Sequence, residues 1–137
     1  MNDFNTSSIY SFFEETAQRR SDHTAVVYLG TRYSYRRLQD MAERFAAALQ
    51  NLGVQPGQRV MLYIPNSIHW IVSWLGIQRL GAVCVPTTPI YTPHDIEYIA
   101  NHIESSAIIC ADTHFGYVTH ILPNTGLNQV IAAGMTE

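Results

Sequence analysis

The stretch Gly53 to Pro89, GVQPGQRVMLYIPNSIHWIVSWLGIQRLGAVCVPTTP, constrains the fold of this chain more than any other part. Val60–Ile64 is a short apolar run of the kind that forms a buried strand. Ser67 to Leu80 follows, with apolar side chains on every side of the helix it predicts, so that helix needs cover on more than one face. Asn66 is placed to cap it and Gly81 to end it. Ala82–Val85 is the next strand, leading into a Pro/Thr-rich loop. Strand, helix and strand with so little slack specify a parallel pair joined by a right-handed crossover.

The rhythm continues downstream. Thr92-Pro93-His94-Asp95 supplies an N-cap, a proline at N1 and an acid at N3. The helix it opens carries Ile96, Ile99, Ala100 and Ile103 on one face. Ala107–Ala111 is a third strand, Asp112 caps a helix of about Thr113 to Leu122, and Gln129–Ala132 is a fourth strand. The fold class is therefore α/β, a layered and mainly parallel sheet flanked by helices, with residues 1–137 as one domain.

Upstream, Ile9, Phe12, Phe13 and Ala17 share a helical face that Ser7 or Ser8 can cap. Thr24–Leu29 and Arg32–Tyr35 read as a short hairpin turning at Gly30-Thr31. Ser34 caps a helix of about Tyr35 to Asn51, whose stripe runs through Leu38, Met41, Ala42, Phe45, Ala46, Leu49 and Leu52. Arg37 stands where a capping box would have Glu, so that reciprocal bond is missing. Gly53 fits the C′ position that ends the helix.

Composition removes several chemistries. Apolar residues make up 47% and charged residues 14%, against roughly 25% charged in an average soluble domain. Such a surface is short of charge, which fits either a chain partly covered by more protein or a small domain with a large core. If a covering subdomain is missing, self-association through an exposed apolar face is expected. There is no lysine, which removes a Schiff-base lysine, a lysine base and a phosphate-loop lysine together. Basic residues form no run beyond Arg19–Arg20 and Arg36–Arg37, so no nucleic-acid partner is indicated. The start MNDFNTSS is not a signal peptide, and Ile68 to Leu80 is too short and interrupted for a transmembrane segment. Cys84 and Cys110 each sit in an apolar run, which reads as buried thiols in a reducing, cytoplasmic compartment.

In an open α/β sheet, ligands bind beyond the carboxyl ends of the strands. The loops there are Pro65-Asn66, Pro86 to Thr92, and Asp112-Thr113-His114. No glycine-rich phosphate pattern occurs in them. Thr87 and Thr88 carry hydroxyls that a ligand could use, but in a Pro-bounded loop their ordinary work is to satisfy backbone. Tyr91 reads as a packing residue and Asp112 as a cap, and His114 matters only if it turns back toward a ligand. The histidines at 23, 69, 94, 102, 114 and 120 show no zinc spacing. Glu14 and Glu15 are adjacent and point apart, so they form no acid/base pair. No catalytic, cofactor-binding or metal residue is assigned.

Several passages taken together resemble the AMP-forming acyl-activating enzymes: acyl- and aryl-CoA ligases, luciferases and peptide-synthetase adenylation domains. Arg32-Tyr33-Ser34-Tyr35 with Leu38 is similar to their hairpin and first long helix. Gly53 through Gly57 with Arg59 and Val60 resembles their G-V-x-x-G-D-R-V passage, with Gln58 in place of the acid. Pro65-Asn66-Ser67 matches their strand-to-helix junction, and Gly81-Ala82-Val83 with Pro86 and Pro89 their next strand and loop. His69 stands where Glu is usual, a departure expected at the surface.

The resemblance implies the N-terminal part of an enzyme that uses ATP, Mg2+ and CoA to activate a fatty or aryl acid. It implies that the phosphate loop, the acidic ATP motifs and the C-terminal lysine lie further along, in the remainder of the parent enzyme. Gly53, Gly57, Arg59, Asn66, Gly81 and Pro86 then carry over as scaffold positions, and the chain itself is expected to be inactive. The alternative reading is a stand-alone, non-catalytic βα binding module.

Overall fold

Val60, Leu62 and Ile64 face one side of a central strand while Met61 and Tyr63 face the other, and all five are buried. The computed structural model describes residues 8–135. In chain order the elements are α1 (Ile9–Arg19), β1 (Thr24–Tyr28), β2 (Thr31–Ser34), α2 (Tyr35–Asn51), β3 (Arg59–Tyr63), α3 (Ile68–Leu80) and β4 (Val83–Pro86). Next come α4 (Pro93–His102), β5 (Ala107–Ala111), a 3₁₀ turn (Asp112–His114), α5 (Phe115–Ile121), a second 3₁₀ turn (Leu122–Asn124) and β6 (Gln129–Ala133). Strands β4, β3, β5 and β6 form a parallel sheet in that order, and β1 pairs with β2 in a separate antiparallel ribbon.

The two sides of the sheet make two cores. On one side Val60, Leu62, Ile64, Ala107 and Ile109 meet Leu49 of α2 and Ile77 of α3. On the other, Met61, Tyr63, Ile108 and Cys110 meet Ile96 and Ala100 of α4 and Val118 and Ile121 of α5. Central parallel strands buried on both faces read as continuous apolar runs, which is why β3 and β5 lack polar alternation.

Helix α3 has a third core behind it. Ile68 and Leu75 pack with Tyr10 of α1, Leu38 and Ala42 of α2, and Val26, Tyr28 and Tyr33 of the hairpin. The helix is therefore sandwiched between the sheet and the α1–hairpin layer, as its apolar circumference requires. Helices α2 and α3 approach closely at Gly76, where an added Cβ would lie 2.8 Å from Phe45 Cδ2 and 3.3 Å from the Ala42 carbonyl oxygen and the Ala46 nitrogen.

Local chemistry places the ends. Ser8 caps α1 in a reciprocal box with Ser11, while Ser7 lies outside the described residues. Ser34 caps α2 through the Arg37 N–H, and Arg37 offers nothing back. Gly81 ends α3 at φ 81°, and its carbonyl accepts from Gly57 N at 2.9 Å, which ties the β3 approach to the end of α3. Gln58, in the place of an acid, closes that turn by accepting from Gln55 N at 2.8 Å.

Three expected boundaries are corrected. The cap of α3 is Ser67, whose hydroxyl accepts from Trp70 N at 3.2 Å, and Asn66 is exposed one residue too early for that bond. Asp112 opens a 3₁₀ turn, its carboxylate accepts only from the adjacent Thr113 N, and α5 starts at Phe115 without a side-chain cap. The hairpin turns at Leu29-Gly30, because Tyr28 and Thr31 are opposite one another in the ladder. Cys110 is buried and Cys84 half-buried, and burial pushes both thiols up to about 11, so neither is reactive near neutrality.

Replacing Gly76 by Ala weighs about 1 kcal/mol of helix propensity gained against about 1–3 kcal/mol of overpacking between α2 and α3. The clash includes backbone and should win. Urea unfolding of Gly76→Ala is expected to show a loss of about 1 kcal/mol, and an unchanged or raised midpoint would contradict this packing.

Candidate functional site

All four sheet strands are parallel, so their carboxyl ends share one edge, and the loops after β3, β4 and β5 meet there. Tyr63, fully buried at the end of β3, donates its hydroxyl hydrogen bond to the Tyr91 carbonyl in the β4–α4 loop. Its ring stands 4.7 Å from the His114 ring, which in turn lies 5.6 Å from Tyr117 in an edge-on arrangement. Burial, first of all, pushes the Tyr63 phenol above its ordinary range, so it stays a neutral donor. His114 thus turns back toward the strand ends, but against an aromatic side chain.

The two threonines do backbone work. Thr87 N donates to the Leu62 carbonyl at 2.9 Å and its hydroxyl to the same oxygen at 3.3 Å, extending the β3–β4 pairing past Pro86. Thr88 Oγ1 accepts from Ile90 N at 3.5 Å, and Tyr91 N donates to the Thr88 carbonyl at 3.1 Å. Tyr91 holds the loop through its backbone, while its side chain is exposed beside His94, Asp95, Tyr98 and Ile99 around a shallow hollow of about 250 Å3.

Two of the three helix starts at this edge, those of α3 and α4, are closed by their own side chains, and α5 has no such cap. Ser67 caps α3, and at α4 Thr92 and Asp95 cap each other, the Asp95 carboxylate accepting from Thr92 N at 2.9 Å. The hydrogen bonds from the Thr92 N–H and hydroxyl hold that carboxyl below its usual range. A helix N-terminus attracts phosphate through free N–H groups and the positive end of its dipole. Here a fixed carboxylate already sits on α4, so a second anion is repelled. The donor set does not fit ATP with Mg2+: no lysine, no glycine-rich loop, and no cluster of three His, Cys, Asp or Glu among the described residues.

Among the scaffold positions, Arg59 ties two elements together. Arg59 donates from Nη1 to the Ile103 carbonyl at 3.1 Å, and its own carbonyl accepts from the Ser105 hydroxyl at 2.9 Å, joining the start of β3 to the α4–β5 loop. Glu14 and Glu15 do point apart: Glu14 meets Arg79 at 3.4 Å, and Glu15 is exposed. Arg79 also approaches Glu43 at 3.7 Å and lies over the Tyr10 ring, holding α1, α2 and α3 together. The expectation that His69 lies at the surface is corrected. It is half-buried beside Met41, Phe45, Val72 and Ile131, and its Nε2 is buried without a hydrogen-bond partner in the described structure. The Tyr63–His114 contact and the Arg79 network carry no local sequence signal, because each joins elements far apart in the chain.

Comparison with known proteins agrees with this geometry. Residues 13–134 match the family model described as AMP-binding enzyme. A long-chain-fatty-acid–CoA ligase of Escherichia coli O6:H1 is 32% identical over 131 residues, which cover 95% of this chain but only 23% of that protein. The crystal structure of the anthranilate CoA ligase AuaEII with anthranoyl-AMP superimposes with a TM-score of 0.89 at 25% identity, over 93% of this chain and 25% of that one. The inhibitor-bound N-terminal domain of FACL13 from Mycobacterium tuberculosis gives a TM-score of 0.86 at 25% identity, over 92% of this chain and 33% of that one. The chain thus spans about a quarter of the length of the curated relatives it matches.

Removing the Tyr63 hydroxyl tests the tie between β3 and the β4–α4 loop. Tyr63→Phe is expected to lower stability by about 1 kcal/mol in urea unfolding and to make the loop around Tyr91 more sensitive to protease. Wild-type stability with an unchanged cleavage pattern would show that the bond is not formed.

Proposed function

The chain belongs to the AMP-binding enzyme family, and from that premise we propose that it is the N-terminal α/β part of an ATP-dependent, AMP-forming acyl-CoA synthetase. The complete enzyme activates a fatty or aryl carboxylic acid as its acyl-adenylate and passes the acyl group to CoA. Residues 1–137 form one α/β domain of that enzyme, cytoplasmic in location. ATP, Mg2+ and CoA are held by the remainder of the parent enzyme, and this part positions that remainder.

One observation carries the reading. A match to AMP-binding enzymes over residues 13–134 falls on a segment in which the starts of α3 and α4 at the sheet edge are capped by Ser67 and by Thr92 with Asp95. A scaffold looks like this: the β4–α4 loop is tied to β3 by hydrogen bonds, and α3 and α4 carry their own caps. Exposed Ile90, Tyr98, Phe115 and Tyr117, all in or after the β4–α4 loop, supply apolar surface for the rest of the enzyme. In its absence, self-association of the isolated chain belongs to the same proposal.

Isothermal titration of the 137-residue chain with ATP and Mg2+ is expected to give no heat of binding. Micromolar affinity would show that the nucleotide site lies in this part and would overturn the scaffold assignment.

A further inference from the structure

The arginines are unevenly placed. Residues 19–37 hold five arginines against one acid, Asp22, a net of +4 with histidine neutral. The rest of the sequence holds three arginines against ten acids, a net of −7, which gives the overall −3. The fold gathers what the sequence spaces apart. Backbone bonds from His23 N to the Arg20 carbonyl, Tyr35 N to the His23 carbonyl and Arg36 N to the Ser21 carbonyl join the end of α1 to the start of α2 at the base of the hairpin.

Arg19, Arg20, Arg32, Arg36 and Arg37 are all exposed there or on the hairpin stem. Asp22 engages Arg36 at 2.6 Å, and none of the other four is ion-paired among the described residues.

The hairpin tip is the second observation. Leu29 and Gly30 form a two-residue turn with φ 49° and 80°, the type I′ geometry. That turn favours Asn or Asp at its first central position, and a leucine with positive φ is strained. The leucine is 78% exposed, and Val27 behind it is 58% exposed. Val27 lies directly across the ladder from Arg32, so the two side chains share the outward face of the ribbon. An unfavoured apolar residue, 78% exposed at the tip of an arginine-rich hairpin, has no use in packing this chain.

We propose that this hairpin is a docking site for an anionic lipid bilayer. Leu29 and Val27 enter the acyl boundary. Arg32, about 7 Å back along the strand at roughly 3.3 Å per residue, meets the lipid phosphates. The arginines at the base lie about two Debye lengths from the tip at physiological salt, where their attraction is largely screened, so they add to binding mainly at low salt. A polyanion such as nucleic acid would use the arginines but not the leucine, and an apolar protein patch would use the leucine but not the arginines. The surface combines both, which is the chemistry of a membrane interface. The proposal is independent of the ligase reading, since its test reads binding alone.

Flotation of the chain with phosphatidylcholine vesicles, with and without phosphatidylserine, reads the claim directly. Binding is expected only to the anionic vesicles, and raised salt should abolish it. Leu29→Asn suits the turn and should keep or raise the melting temperature while weakening vesicle binding about tenfold. Arg32→Gln should weaken it about fivefold. Absence of binding to anionic vesicles, or wild-type binding by the folded Leu29→Asn variant, would overturn the proposal. So would a single-stranded oligonucleotide that binds wild type and Leu29→Asn equally and displaces the vesicles, which would mark a polyanion site.

Discussion

The parallel pairing of β3 with β5, buried on both faces, is the constraint on which the rest of this structure depends. No residue from Val60 to Tyr63 or from Ala107 to Ala111 is more than 1% exposed. Backbone N–H and C=O groups in such a place must be paired, and the ladder pairs them. Because both faces are apolar, helices have to cover both, and because the strands are parallel, those helices are the connections. The sheet, its two flanking layers and the common edge of its loops all follow from that arrangement.

The position of the loops follows too. Parallel strands put the β3–α3, β4–α4 and β5–α5 loops at one edge, where α/β proteins usually bind ligands. In this chain that edge is occupied by its own contacts: Thr87 on the Leu62 carbonyl, Tyr63 on the Tyr91 carbonyl, Asp95 on the start of α4. These bonds make the loops stiff and leave few groups for a substrate. The extra α1–hairpin layer behind α3 has a different character, since its outer face carries arginines and a strained leucine. The molecule thus has a quiet edge and a charged corner, on different elements.

Much of this was legible in the sequence, and the exceptions have physical causes. The β3, β5 and α2 patterns were readable because burial on both faces makes a strand a continuous apolar run and burial on one face gives a helix an apolar stripe of period 3.6. Thr92 and Asp95 were readable because a capping box is local. Asn66 and Ser67 are both good caps, and only the backbone decides that Ser67 bonds Trp70 N. Asp112 was read as a cap from its residue type, yet the chain makes a 3₁₀ turn there first. His69 was assigned to the surface from the residue usual in relatives, whereas α2 and β6 close around it. The Tyr63–His114 contact spans 51 positions and the Arg79–Glu14 pair 65, beyond any spacing rule for one element.

The account rests most heavily on the central strands being the last part of the molecule to open. Hydrogen exchange followed amide by amide tests this directly. Slowest exchange is expected at Met61, Leu62, Ile108, Ile109 and Cys110, with β1 and β2 exchanging well before them. If the hairpin amides outlast those of β3 and β5, or if β3 exchanges as fast as the loops, the doubly buried parallel pair is not the spine of this fold.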